Sequence, residues 1–187
     1  SSDLPSTDIR YLQDLSQRAE EGRFDSIFLA DQLAFQGGGA QVGLEPITAL
    51  AAIAVATEKI GLIATASTTY TEPFNLLRQF TSLDHISNGR VGWNIVTSWS
   101  EPASRNYGYE TQISHEERYR RANEFMEVAR GLWDSWSDNA IADDKQKGQF
   151  LRDGGVRAIN HKGEFYSVSG PLNIPRGPQG RPVLVQA

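Results

Sequence analysis

Leu83-Asp-His-Ile-Ser-Asn-Gly-Arg-Val-Gly-Trp-Asn-Ile-Val-Thr-Ser98 decides the fold, because it reads as a helix end, a turn and a buried strand whose last residues turn polar. Leu83 and Ile86 are the last apolar positions of a helical pattern. Asn88-Gly89 is its stop, since glycine takes the left-handed conformation that ends a helix. From Val91 to Val96 the residues are apolar, β-branched or aromatic apart from Gly92 and Asn94. An amide inside such a run needs partners, because an unpaired buried amide costs about 1–3 kcal/mol. Asn94 is therefore a candidate site residue, and the alternative is a structural amide bonded only to neighbouring backbone.

Upstream of this stretch, helical and strand patterns alternate. Ile9, Leu12, Leu15 and Ala19 recur at helical spacing between Thr7 and Gly22, with Ser6 or Thr7 placed to cap and Gly22 to stop. Phe24 to Ala30 reads as a mostly buried strand that delivers Asp31 to its carboxyl end, where α/β folds place chemistry. The Ala34–Gly43 segment holds Gly37-Gly38-Gly39 but lacks the third glycine of G-x-G-x-x-G and the lysine of a P-loop, so it reads as a flexible loop. Pro46 to Thr57 is a helix rich in Ala and Ile. Ile60 to Ala66 is a strand that runs into the hydroxyls Ser67, Thr68 and Thr69, and Pro73 opens a helix with Leu76, Leu77, Phe80 and Leu83 on one face. Such alternation predicts parallel strands joined by right-handed crossovers, the α/β class.

Downstream, Trp99 to Ile113 reads as a long loop. Ser114 then caps the longest helix, with Glu117 placed to complete a capping box. Tyr119, Ala122, Phe125, Met126, Ala129, Leu132, Trp133 and Trp136 follow at helical spacing, which marks the Trp and Met as core. His115 and Tyr119 share a face on the first turn, where a helix N-terminus suits an anion. Tyr119 stands where a zinc H-E-x-x-H motif needs its second histidine, so no metal site is expected. Residues 139–180 lose the helical period and read as an insertion on one face. It would carry a β-hairpin within Arg157 to Val168 that turns at His161-Lys162-Gly163. Pro171 to Pro178 is extended loop, and Pro182 to Gln186 is a further buried strand. Four parallel strands would gather Asp31, Thr68, Asn94 and Ser98 at one mouth.

Composition narrows the function. With 187 residues, 39% of them hydrophobic, the chain can bury a core. A net charge of −5, with basic residues scattered rather than striped, argues against nucleic acid or an anionic membrane as partner and for small molecules. The absence of cysteine removes disulfides, thiol nucleophiles and zinc-thiolate sites and suits a reducing compartment. No apolar run reaches the ~18–20 residues of a membrane span, and Ser1 opens no signal pattern, so a cytoplasmic location is expected. No G-x-S-x-G is present, and His85, His115 and His161 fall on three different elements, with His85 read as structural.

Arg90-Val-Gly-Trp-Asn-Ile-Val-Thr-Ser98, followed by Glu101-Pro-Ala-Ser-Arg-Asn-Tyr-Gly108, closely resembles the signature of the bacterial-luciferase-like flavin-dependent monooxygenases. The branch is that of nitrilotriacetate, dibenzothiophene-sulfone and long-chain alkane monooxygenases, and the likeness runs from about Leu4 to Ala187. It implies a (β/α)8 TIM barrel, of which residues 1–187 would be a partial domain covering about strands 2–5, with an isolated fragment not expected to turn over. The family usually continues past Gln186-Ala187 with a glycine and serines that help hold the flavin phosphate.

The resemblance also implies roles. Asp31 would be the flavin-contacting carboxylate, with Phe28 close to that pocket, and Thr68 or its neighbours Ser67 and Thr65 the polar group beside the ring. Asn94 would be the amide that bonds the ring, and His115 with Tyr119 the pair reaching the ribityl phosphate; no catalytic residue is assigned. Trp99 departs from the smaller or differently shaped residue that relatives usually carry, which implies a different substrate side of the pocket. The implied activity is a two-component FMN-dependent monooxygenation of a small organic substrate. A separate NAD(P)H:flavin reductase supplies FMNH2, which with O2 forms a C4a-peroxyflavin. The full-length protein would be a homo-oligomer. Alternatives are a deazaflavin-dependent oxidoreductase of the same superfamily, which transfers hydride without O2, and a non-catalytic flavin-binding fragment.

Overall fold

Successive side chains of a strand point to opposite sides, so each strand has one face for the helices and one turned away from them. The computed structural model, which describes residues 5–37 and 42–186, shows how the chain uses this. In chain order the elements are α1 (Ile9–Glu21), β1 (Ser26–Leu29), α2 (Pro46–Ala54), β2 (Gly61–Ser67), α3 (Pro73–Ser87), β3 (Val91–Val96), α4 (Glu101–Asn106) and α5 (His115–Trp133). Then come β4 (Ile141–Asp144), β5 (Gln149–Leu151), β6 (His161–Lys162), β7 (Ser167–Val168) and β8 (Val183–Val185). One sheet has the order β1-β2-β3-β8, and every pairing in it is parallel. This is the α/β architecture that the alternation predicts.

Register sorts the side chains. Leu62 pairs with Val91 and Ala64 with Trp93, so these four lie on one face. They join Leu50 and Ile53 of α2, Leu77 and Phe80 of α3, and Phe125 and Leu132 of α5 in the core. Trp93 is fully buried at its centre, its ring 5.4 Å from that of Phe80 and 5.8 Å from that of Phe125, and its indole N–H donates to the Ala66 carbonyl at 3.1 Å. On the other face Phe28 pairs with Ile63, Ile63 with Gly92, and Thr65 with Asn94. A Cβ on Gly92 would come within 3.2 Å of the Ile63 side chain, so glycine here permits the close strand approach.

The turn after α3 behaves as expected, with one addition. Asn88 already takes the left-handed conformation at φ 54°, and Gly89 continues it at φ 82° while its N–H returns to the Asp84 carbonyl.

Several expectations are corrected. The cap of α1 is the Asp8 carboxylate, which accepts from the Arg10 N–H, and neither Ser6 nor Thr7 serves. The first and last strands are not buried: Phe28 is 44% exposed and Val183 58% exposed, because both strands lie at the edges of the sheet. Apolar content marks a strand, but its place in the sheet sets its burial. Within the expected loop after Ser98 the chain forms α4, opened by Pro102 in its first turn. Helix α5 stops at Trp133, and Trp136 lies beyond it, donating its indole N–H to the Leu172 carbonyl at 2.7 Å.

Between residues 139 and 180 there are two hairpins, β4–β5 and β6–β7, of which only the second was expected. His161 and Lys162 are strand residues, and the turn is closed by the Gly163 N–H on the Tyr166 carbonyl. His85 bonds the Pro175 carbonyl at 3.0 Å, a structural role. Gly38 and Gly39 of the glycine run lie outside the described residues. Among the described residues no helix is long and apolar enough to cross a membrane.

Candidate functional site

The carboxyl ends of β1, β2 and β3 open onto a cleft of about 410 Å³, within the ~300–1,000 Å³ range in which small ligands and cofactors bind. Asp31, Thr65, Asn94, Ser98 and Tyr119 line it together with apolar Phe28. Register brings the central pair together: Thr65 stands opposite Asn94, and the Asn94 amide Nδ2 donates to the Thr65 Oγ1 at 3.0 Å. Asn94 is 3% exposed, and this buried bond joins it to a side chain on the neighbouring strand. Asp31 sits just past β1. Burial raises its pKa above the usual carboxylate value and the negative charge of Glu45 adds to this, while the Gln32 N–H pulls the other way.

The three hydroxyls after Ala64 part company. Thr65 lines this cleft, and Ser67 lines an adjoining one of about 810 Å³ and accepts a hydrogen bond from the Ser98 hydroxyl at 2.8 Å. Thr68 lines neither. It is fully buried, and its hydroxyl donates to the Val96 carbonyl at 3.2 Å, the same oxygen that takes the Thr68 N–H. The cleft-facing hydroxyl is therefore that of Thr65, because side chains of a strand alternate and Thr65 shares the parity of Ile63 and Ser67.

His115 and Tyr119 come together at the start of α5, ring centroids 4.5 Å apart, where Ser114 Oγ accepts the Glu117 N–H. Tyr119 reaches the cleft, whereas His115 is an exposed neighbour of it. Trp99, 76% exposed, stands on the cleft rim.

Some of the site has no mark in the sequence pattern. Tyr70 and Tyr107 stack at 4.7 Å with planes 8° apart, and the Tyr70 hydroxyl meets the Ser104 hydroxyl at 2.7 Å. Both rings line the larger cleft, and burial, Asp31 and Tyr70 raise the pKa of Tyr107. Gln36 donates to the Ser100 hydroxyl at 3.0 Å and Asn106 to the Leu33 carbonyl at 2.9 Å, tying the loop after β1 to the segment after β3. These pairs are 34 to 73 residues apart, so no local periodicity announces them.

The model of the family described as luciferase-like monooxygenase matches residues 1–187. The chain belongs to this family. It is 49% identical to N-acetyl-S-(2-succino)cysteine monooxygenase of Bacillus subtilis, over 97% of this chain and 42% of that protein. It is 46% identical to nitrilotriacetate monooxygenase component A of Aminobacter aminovorans, over 97% of this chain and 43% of that protein. Among solved structures it superposes on a riboflavin lyase, determined with modified FMN and riboflavin, at a TM-score of 0.86 and 34% identity, covering 96% of this chain and 43% of that one. The chain thus spans less than half the length of the relatives it matches. Its four parallel strands are part of the luciferase-like barrel fold.

A flavin fits what the cleft offers. Phe28, Ile95 and Val96 give apolar wall for a ring system, and Asn94 with Thr65 gives a buried polar pair at its edge. Tyr119 lines the cleft close to the start of α5, where the helix dipole favours a phosphate.

Proposed function

We propose that the intact protein is a two-component, FMN-dependent monooxygenase, using reduced FMN from a separate NAD(P)H:flavin reductase and O2 to oxygenate a small organic substrate. The observation that carries this is the meeting of Asp31, Thr65, Asn94 and Tyr119 around one cleft at the carboxyl ends of parallel strands. Reduced FMN, when bound, supplies the electrons and the oxygen-activating chemistry.

The chain's own residues hold and shield it. The Asn94 amide, oriented by Thr65, presents its polar atoms to the ring edge, and Asp31, whose pKa burial raises, stands on the β1 side. Phe28, Ile95 and Val96 exclude water from the reacting face. His115 and Tyr119 face the phosphate end, and the rim residue Trp99 meets the substrate. Thr68, implied by the family resemblance, acts behind the wall by fixing the Val96 carbonyl. Residues 139–180 form the insertion on one face, and the full-length protein works as a homo-oligomer in the cytoplasm.

The test is anaerobic titration of the full-length polypeptide with reduced FMN and, separately, with reduced deazaflavin, followed by admission of O2. Preferential binding of reduced FMN with O2 consumption that depends on it supports the assignment. Preference for deazaflavin, or binding without oxygen consumption in the presence of candidate substrates, replaces it with a hydride-transferring or a non-catalytic role.

A further inference from the structure

Arg118 is a cation in an unusual position. It lies in the first turn of α5 and is only 6% exposed, on the same helix face as buried Ala122 and Phe125. Its Nη1 donates to the Ser98 carbonyl at 3.0 Å, and Ser98 lines the cleft. Its Nε is fully enclosed and has no hydrogen-bond partner among the described residues. No carboxylate forms an ion pair with it there, although Arg18, Arg105, Arg120, Arg176 and Arg181 each have one. A buried guanidinium without a counter-charge costs several kcal/mol unless something anionic answers it, and mere packing would be served better by Leu or Met.

Arg118 itself lines neither cleft, but its neighbours Ser98 and Tyr119 line the smaller one. Tyr119, the next residue, lines the cleft, and the start of α5 adds partial positive charge on the same side. Glu116 and Glu117 oppose this, but Glu116 is solvent-exposed and Glu117 half-buried, whereas Arg118 is enclosed where charge acts through a low dielectric. Across the cleft stands the carboxyl of Asp31. Positive charge therefore collects at the α5 end of the cleft.

We infer that Arg118, acting from behind the wall formed by Ser98 and Tyr119, is a positioning residue that selects an anionic group at the α5 end of the cleft. Resting on the flavin assignment above, that group is the phosphate of FMN. The residue therefore makes the site discriminate FMN from riboflavin, which shares the ring and lacks the phosphate. His115 and Tyr119 offer hydrogen bonds there, and Arg118 supplies the enclosed charge.

The experiment measures dissociation constants for FMN and riboflavin, by quenching of flavin fluorescence, in the full-length wild-type protein and in Arg118→Met and Arg118→Lys. Wild type should prefer FMN by at least about tenfold, and Arg118→Met should lower that preference by about 10- to 100-fold, the range of one unit charge acting through the protein interior. Its riboflavin affinity should stay within about threefold, and Arg118→Lys should restore most of the preference. Loss of FMN and riboflavin binding in parallel would show a purely structural residue, and an unchanged preference in Arg118→Met would likewise overturn the inference. Should Arg118→Met fail to fold, a wild-type preference below tenfold, or an Arg118→Lys protein that has lost it, overturns the inference as well. If wild type binds neither flavin, the flavin assignment fails instead.

Discussion

Thr65→Val and Thr68→Val are near-isosteric changes three residues apart that the structure separates sharply. Thr65 is 6% exposed and its Oγ1 accepts the Asn94 Nδ2 hydrogen bond, so valine deprives a buried amide of that acceptor at the cleft. Loss of such a contact costs about 1–2 kcal/mol, and because it frees the amide that should orient the ligand, flavin dissociation constants should rise about 5- to 30-fold. Thr68 donates to a carbonyl that already accepts a backbone N–H, so its valine variant loses one redundant bond, about 0.5–1.5 kcal/mol of folding stability. Its flavin affinity should move less than about twofold. Fluorescence titration gives the affinities and urea denaturation the stabilities, both on full-length protein. A Thr68→Val variant that weakened flavin more than Thr65→Val at equal stability would refute the assignment of Thr65 as the cleft hydroxyl.

Two further outcomes concern how the frame is held. Glu124→Ala should cost about 2–4 kcal/mol at pH 7 in urea denaturation, because its carboxylate takes hydrogen bonds from His161 at 3.0 Å and from the N–H groups of Phe165 and Tyr166 at 2.9 and 2.8 Å. Burial pushes the Glu124 pKa up, but these donors together hold it below the ordinary carboxylate value, so its contribution is complete above that value and fades as pH falls through the lowered one; the gap between wild type and variant should shrink accordingly. Arg90→Lys should lose about 2–4 kcal/mol, since three ammonium donors cannot replace a planar fork that reaches the carbonyls of Ser87, Ile60, Ala54 and Thr57 as well as the Thr57 hydroxyl; a change under about 0.5 kcal/mol in the same assay would contradict this.

Much of the frame was legible because its signals are local. Pro46 and Pro73 open α2 and α3, Asn88-Gly89 closes α3, and Ser114 caps α5, each within one turn of the residues it governs. Burial of the strands was not, since Phe28 and Val183 have the composition of core residues and are exposed through their place in the sheet. The β4–β5 hairpin escaped notice for another reason. Ile141-Ala-Asp-Asp144 has charge where strand pattern expects alternating apolar residues, and a register irregularity interrupts the pairing.

At the site, Asn94 could be found because an amide in an apolar strand is conspicuous, and Asp31 because it ends a strand. The choice between Thr65 and Thr68 could not be made from one chain: it depends on which residue of β2 stands opposite Asn94, and that register follows from the packing of two strands 29 residues apart in sequence. Arg118 went unremarked for the opposite reason. An arginine beside Glu116, Glu117 and Arg120 looks like a solvated helix face, and only the fold reveals that its side chain points into the molecule.

The same strand parity makes stability and site geometry inseparable in β3. Trp93 and Asn94 are adjacent and face opposite ways, so the indole locked among Phe80, Phe125 and Trp133 holds the amide against Thr65. A one-residue slip of β3 would bring Asn94 into the core and carry Trp93 into the cleft, at the combined cost of a buried unpaired amide and a lost aromatic cluster. That penalty makes the register of the strand, and with it the position of the cleft-facing amide, a property of the packed core rather than of the ligand. The Asn94–Thr65 edge of the cleft is thus set by the core before any ligand arrives, and no binding energy has to be spent on ordering it.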